Sequence, residues 1–382
     1  MPHPFTVMHL NFYAEGATLF MKRRTMYLLF GLLVFAHLLP FLSSFAQDSQ
    51  PAELPALDTL ENGWSTLVPG GDTVCSRGTP YQFFVRKAEN PTDKLLIYFQ
   101  GGGACWNALT CREDGGTFDD AVGTLEQEVL GYDGVFNYEN PANPLIDYNV
   151  VFVPYCTGDI HIGDTSTRYL TIGIEHRGVD NSMSALNWAF SNFSTPQQIV
   201  IAGTSAGAYG AIYFTPLVAE QYPDATIVQH GDAGVGVSPV GWDVLQTWDI
   251  YANIPQFETV SIDPETFEIR FLYEGAASYP NVQLSQFTTN ADDVQTLFYS
   301  FSAPGGAPWT DGMYASLETL DALPNFSSYV AGGELHTVLA RPEFYTLTSN
   351  GVKFVDWFTA LVKGEDVENV RCVACETEEF SD

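Results

Sequence analysis

Cationic side chains are scarce: 15 Lys and Arg stand against 46 Asp and Glu in 382 residues, a net charge of −31. A surface that negative repels DNA, RNA and anionic bilayers, which argues against a nucleic-acid-binding role. Histidine is rare too. After residue 46 only His161, His176, His230 and His336 remain, so imidazole-dependent chemistry has few places to sit. Beyond residue 46 no apolar stretch is long enough to span a bilayer, and no repeat or linker divides the chain. The six cysteines (Cys75, Cys105, Cys111, Cys156, Cys372 and Cys375) all follow that point. An even count in an exported chain reads as disulfides, with the pairing left open. Cys372-Val-Ala-Cys375 has C-x-x-C spacing but lies in an acidic tail without βαβ context, so a structural loop is expected there rather than a redox or zinc site.

What is present begins with an export signature. Met21-Lys22-Arg23-Arg24 is basic, Tyr27 to Leu42 is almost wholly apolar, and Ser44-Phe45-Ala46 offers small residues for cleavage. The expected organisation is an upstream mis-start over 1–20, a signal peptide over 21–46, a loose lead-in over 47–62 and a single domain over 63–382. Removing residues 1–46, which carry Lys22, Arg23 and Arg24 against Glu15, leaves 336 residues and takes the net charge to −33. The expected product is secreted, with no membrane anchor after cleavage.

Short apolar or β-branched runs alternate with helical spacing from Gly63 onward. Strands are expected at 81–85, 94–99, 149–154, 198–202, 225–229, 281–287 and 326–330, with helices at 180–190, after Ser205, and at 352–362. Continuous apolar strands separated by helices imply an α/β fold, with a mainly parallel sheet covered on both faces. The 235–290 stretch reads as an irregular, aromatic insertion forming part of a substrate wall.

Gly203-Thr204-Ser205-Ala206-Gly207 follows the apolar run Gln198 to Ala202 and leads into small residues. G-x-S-x-G between a buried strand and a helix forces the serine into a tight turn with its hydroxyl exposed. A serine hydroxyl needs an imidazole base, a carboxylate to orient it, and N–H donors for the oxyanion. His336 lies after the last strand and before the final helix, the place of the base in chain order; His230 follows a strand next to the nucleophile strand, where lining the site and structural packing are equally expected. Asp232, Asp292 and Asp293 stand between Ser205 and His336, and position does not choose among them. Gly101-Gly102-Gly103 follows an early strand and can turn N–H groups into a pocket beside the Ala206 N–H.

The ordered set Gln100-Gly-Gly-Gly-Ala-Cys105-Trp-Asn107, Pro154-Tyr-Cys156-Thr-Gly-Asp159, Gly203-Thr-Ser205-Ala-Gly207 and Asp292-Asp-Val-Gln295 resembles the pectin acetylesterase and Notum carboxylesterase family over nearly the whole exported chain. The resemblance implies an α/β-hydrolase fold and a secreted, bacterial-type member. It maps the nucleophile to Ser205, the base to His336 and the acid to Asp292, which stands three residues before Gln295. It further implies oxyanion donors from Gly102, Gly103 and Ala206, and disulfides Cys75–Cys156, Cys105–Cys111 and Cys372–Cys375. Gln100, where relatives often carry an acid, and Trp106 fall on the pocket wall.

The expected activity is a serine carboxylesterase without metal or organic cofactor, acting on O-acyl esters, first of all O-acetyl esters of a polysaccharide. The runner-up is a general carboxylesterase on lipid, small or polyester esters, with Trp106 and the 235–290 segment shaping an apolar pocket. A secreted glycan-binding protein on an inactive hydrolase fold is the alternative of another class.

Overall fold

A computed structural model describes residues 51–238, 244–250, 267–302, 308–372 and 379–380. The proposed leader therefore lies outside the described residues, and the chain from Gln50 onward clusters as one unit.

Its centre is a nine-stranded sheet. In chain order the strands are β1 (Gly63–Leu67), β2 (Phe83–Lys87), β3 (Lys94–Phe99) and β4 (Asn149–Val153), followed by a hairpin of β5 (Thr165–Tyr169) and β6 (Ile172–His176) that lies outside the main sheet. The sheet continues with β7 (Gln198–Thr204), β8 (Thr226–Asp232), β9 (Val282–Thr289) and β10 (Phe326–Ala331). A small second sheet joins β11 (Leu347–Ser349), β12 (Val352–Lys353) and β14 (Glu379–Phe380), while β13 (Val370–Arg371) closes the main one. The main order is β1-β2-β4-β3-β7-β8-β9-β10-β13. β1 and β2 run antiparallel at one edge, and every pairing from β4–β3 to β10–β13 is parallel.

The unbroken apolar character of these strands follows from burial on both faces. Ile199 and Ile201 of β7 join one core with Leu95, Ile97 and Phe99 of β3, whereas Val200 and Ala202 join the opposite core with Leu96 and Tyr98. Helices α1 (Gly178–Asn192), α2 (Ala206–Gln221), α3 (Arg270–Ala276) and α5 (Trp309–Leu320) supply the first core; α4 (Asp293–Ser302) lies between α3 and α5 in the chain. The second is covered by α6 (Phe354–Val362) and by residues of the 129–148 segment.

The chain leaves β3 to one side for β4 and returns to the other side for β7. Such a switch opens a crevice at the carboxyl ends of the central strands. The glycine run after β3 and Ser205 after β7 both emerge there.

Several expectations need correction. The segment 51–62 is not loose: Leu54, Leu57 and Leu60 pack on the core, Trp188 Nε1 donates to Pro55 O (2.9 Å) and Leu57 N–H donates to Asn192 Oδ1 (2.7 Å). The expected insertion 235–290 contains α3 and the whole of β9, an interior strand; residues 239–243 and 251–266 lie outside the described residues. The second strand starts two residues later than expected, and the closing helix begins only at Phe354 because Val352–Lys353 pairs with β11.

Cys75–Cys156 and Cys105–Cys111 are disulfides, as the resemblance implied. The first spans 81 residues and fastens the β1–β2 connection to the end of β4. A loop of that length restrains the unfolded chain by about 4–5 kcal/mol in the chain-entropy account. Cys372 is disulfide-bonded, and Cys375 lies outside the described residues.

Candidate active site

Ser205 terminates β7 and precedes α2 with φ 52° and ψ −121°, a conformation costly for any residue with a Cβ. The turn is tight because its neighbours are small. A Cβ on Gly203 would lie 2.1 Å from Gly207 O, and one on Gly207 would lie 2.0 Å from Phe99 O. The two glycines of G-x-S-x-G thus let α2 start against the end of β3. The Ser205 N–H donates to Asp232 O (2.7 Å), which anchors the turn to β8. Ala206 opens the helix, so its N–H has no acceptor one turn back and lies at the positive end of the dipole.

His336 sits in the loop after β10. Its Nδ1 is 2.9 Å from both Oδ1 and Oδ2 of Asp292, which follows β9 and is fully buried. Asp292 is held in turn by Gln295, whose backbone N–H donates to Oδ1 (2.8 Å) and whose Nε2 donates to Oδ2 (2.9 Å). The Gln295 side-chain Oε1 accepts from Val235 N–H (3.0 Å), and its Nε2 also reaches Thr288 Oγ1 (3.0 Å), so the amide orientation is fixed. With Nδ1–H directed at the carboxylate, Nε2 is the lone-pair nitrogen. It is buried and makes no hydrogen bond among the described residues.

Ser205, Ala206, Gly103, Trp106, Gln295 and His336 line one cavity of about 380 Å³. Most of the remaining wall is apolar: Ile160, Val237, Trp248, Phe298, Phe301 and Trp309 contribute. Trp106 stacks obliquely with Phe298 and Phe301, at 6.1 and 6.2 Å between ring centroids. Gly102 is not among the lining residues. Its carbonyl accepts from Asp119 N–H, and a Cβ there would lie 2.5 Å from Tyr155. Gly103 has φ 74°, and its Cβ would lie 2.0 Å from Thr117 O, so only glycine fits this wall.

The other candidates lie elsewhere. Asp232 is buried with Oδ2 accepting from Val338 N–H (2.8 Å) and Leu339 N–H (2.7 Å), so it holds the loop beyond His336 rather than the imidazole. Asp293 is exposed at the start of α4. His230 is buried in the opposite core against Phe354, Trp357 and Phe358, with burial pushing its pKa down to about 3. His161 and His176 are buried too. His161 Nε2 bonds Gln100 O (2.8 Å), His176 Nδ1 bonds Thr157 O (2.8 Å), and burial lowers both to about 4. Of the four histidines, His336 alone reaches the cavity. Cys105, Cys111 and His176 bring three potential metal-ligand atoms within 4.8 Å, but both sulfurs are committed to their disulfide.

Two features escaped the sequence reading. One is the aromatic wall of α4, although Val294, Phe298 and Phe301 recur at helical spacing. The other is the bracing of the glycine run. Gln100 Oε1 accepts from Tyr155 N–H (3.0 Å), and its Nε2 reaches Glu128 Oε2 (2.5 Å) and Tyr132 OH (2.9 Å). No local signal marks these partners, which come from separate loops.

Comparison with known proteins agrees with this architecture. The Wnt deacylase Notum from Drosophila superposes with a TM-score of 0.58 at 15% identity, covering 83% of this chain and 97% of that one. Palmitoleoyl-protein carboxylesterase Notum of Schmidtea mediterranea is 27% identical over 146 residues, 36% of this chain and 27% of that protein. Pectin acetylesterase 11 of Arabidopsis thaliana is 25% identical over 142 residues, 36% of each chain. Human palmitoleoyl-protein carboxylesterase Notum is 24% identical over 211 residues, half of this chain and 39% of that protein. The matches thus span between about a quarter and two fifths of these curated relatives. The pectinacetylesterase family profile matches residues 65–299, more than half of the sequence, and the chain belongs to that family.

Proposed function

We propose that the protein is a secreted serine carboxylesterase that hydrolyses O-acyl esters through an acyl-enzyme. The observation that carries this reading is the shared cavity: Ser205, His336, Gly103 and Ala206 line it together, with Asp292 buried behind the imidazole. Ser205 Oγ attacks the acyl carbonyl as its proton passes to His336 Nε2. Asp292 holds the tautomer and stabilises the imidazolium. The Gly103 and Ala206 N–H groups receive the oxyanion. The Ser205–acyl bond forms, the carbonyl–alkoxy bond breaks, and His336 returns the proton to the departing alcohol. Water, deprotonated by the same nitrogen, then releases the carboxylic acid and restores the serine. Gly102, off the cavity wall, acts as a turn residue in this scheme.

The wall favours the second of the two ester classes raised by the sequence. An acetyl group would leave most of an apolar cavity of about 380 Å³ to water, whereas an aliphatic chain replaces that water with contacts to Trp106, Val237 and Phe298. The relatives' names span both an acetyl and a palmitoleoyl ester, so the family fold accommodates either. Export fits the disulfides and the basic–apolar–small segment over 21–46.

The test is release of p-nitrophenol from acyl esters of graded chain length, by wild type and Ser205→Ala. Turnover that disappears in the variant and peaks above acetate is expected. A peak at acetate would return the substrate to acetylated polysaccharide. Turnover independent of Ser205 would overturn the mechanism, and no turnover on any ester would favour the glycan-binding alternative.

A further inference from the structure

Asp232 joins two parts of the site that are far apart in sequence. Its backbone carbonyl accepts the Ser205 N–H (2.7 Å), at the nucleophile turn. Its side-chain Oδ2 accepts the N–H groups of Val338 and Leu339 (2.8 and 2.7 Å), two and three residues beyond His336. Between them Thr337 adopts φ 66°, a left-handed conformation that a threonine holds only under outside restraint. On the other side, Ala233 also has positive φ (57°), and its N–H is fixed to Phe287 O (2.8 Å).

The second oxygen is harder to account for as scaffolding. Both loop N–H groups are served by Oδ2, while Oδ1 is buried without a hydrogen-bond partner among the described residues. A buried carboxylate with an unused oxygen is destabilising, and one neutral acceptor would satisfy the loop. What a carboxylate adds is charge.

We infer that Asp232 is a positioning residue: it ties the nucleophile turn to the histidine loop and sets a second buried negative charge beside the His336–Asp292 pair. This rests on the reading of Ser205 and His336 as nucleophile and base. Three ionisable groups face it: Tyr98 from β3, Asp292 from the end of β9 and His336 from the loop after β10. Burial raises the Asp232 pKa to about 7; the two backbone donors and then His336 act to lower it, while Asp292 adds to the rise. Attraction is reciprocal, so the ionised Asp232 acts on the imidazolium formed in the transition state.

Asp232→Asn separates the two roles, because its carbonyl can still accept from Val338 and Leu339 while the charge is gone. In a folded Asp232→Asn protein kcat/KM should fall about tenfold at pH 8, chiefly through kcat. In wild type the Asp232 side-chain carboxyl, followed by 13C NMR, should titrate near pH 7, and in a folded His336→Gln protein it should titrate higher, because the ring that favours its charged form is gone. An Asp232 carboxyl that titrates identically in wild type and folded His336→Gln, or an unchanged kcat in folded Asp232→Asn, overturns the inference. The NMR arm does not depend on turnover, so a failure of the esterase reading would be seen separately, as ester hydrolysis that survives Ser205→Ala.

Discussion

His336 Nδ1 lies 2.9 Å from both carboxylate oxygens of Asp292, a side chain with no solvent exposure. The imidazole is therefore oriented by a partner that water cannot displace, and its free nitrogen belongs to the wall of the cavity that contains Ser205. Ser205→Ala and His336→Ala are expected to lower kcat by roughly 10⁴–10⁶, and Asp292→Asn by roughly 10³–10⁴, in ester-hydrolysis assays. Full activity in Asp292→Asn would sink the assignment of the acid.

The nucleophile turn makes a stricter demand than its motif. Gly207→Ala would push a methyl group to 2.0 Å from Phe99 O, a backbone atom that cannot swing away. The expected cost is about 1–3 kcal/mol or more, read as a lowered midpoint in urea unfolding, with loss of ester turnover beyond the loss of folded protein. Gly351→Ala, where nothing lies within 4 Å but φ is 76°, separates backbone strain from collision. It should cost stability without touching turnover.

Buried titratable groups pull stability in opposite directions with pH. His161 and His176 at about 4 and His230 at about 3 sit below the ordinary histidine value, so between about pH 4 and 6.5 the unfolded chain binds their protons and the native one does not. Stability from these groups rises with pH across that window and is lost on acidification. Asp159 and Asp232, at about 7, bind protons in the native state that the unfolded chain releases above about 4, so their contribution falls as pH rises from about 4 to 7. Asp159→Asn removes one opposing proton. Its Tm should therefore drop more steeply than that of wild type between pH 6.5 and 4.5, and parallel Tm curves would contradict the assignment of burial as the cause.

The apolar wall can be filled. Val237→Trp should occupy volume beside Phe298 and Trp309 and move the chain-length optimum toward acetate, with turnover of short esters kept within about tenfold. An optimum that does not move would mean that acyl chains lie outside this cavity.

Much of the architecture is legible along the chain because its causes are local. The run Gln198 to Ala202 is apolar without alternation because both faces of β7 are covered, and glycines flank Ser205 because a Cβ at either would strike backbone. The edge strand β1, the β5–β6 hairpin and the strand β13 were not legible, since two to five residues with mixed burial carry little periodic signal.

By itself the sequence determined a parallel α/β sheet, a serine at a strand-to-helix turn and a late histidine, each written in neighbouring residues. Residue order left Asp232, Asp292 and Asp293 open, and only the family resemblance pointed to Asp292. The contacts themselves belong to the tertiary structure: Asp292 comes to His336 across 44 residues, while Asp232, one strand earlier, turns to the loop N–H groups instead. The cavity wall is likewise a product of assembly, joining Trp106, Val237 and Phe298 from three separate segments. Hydrogen-bond partners and cavities arise from packing of distant segments, and short-range pattern has no means of recording which buried carboxylate will face which ring.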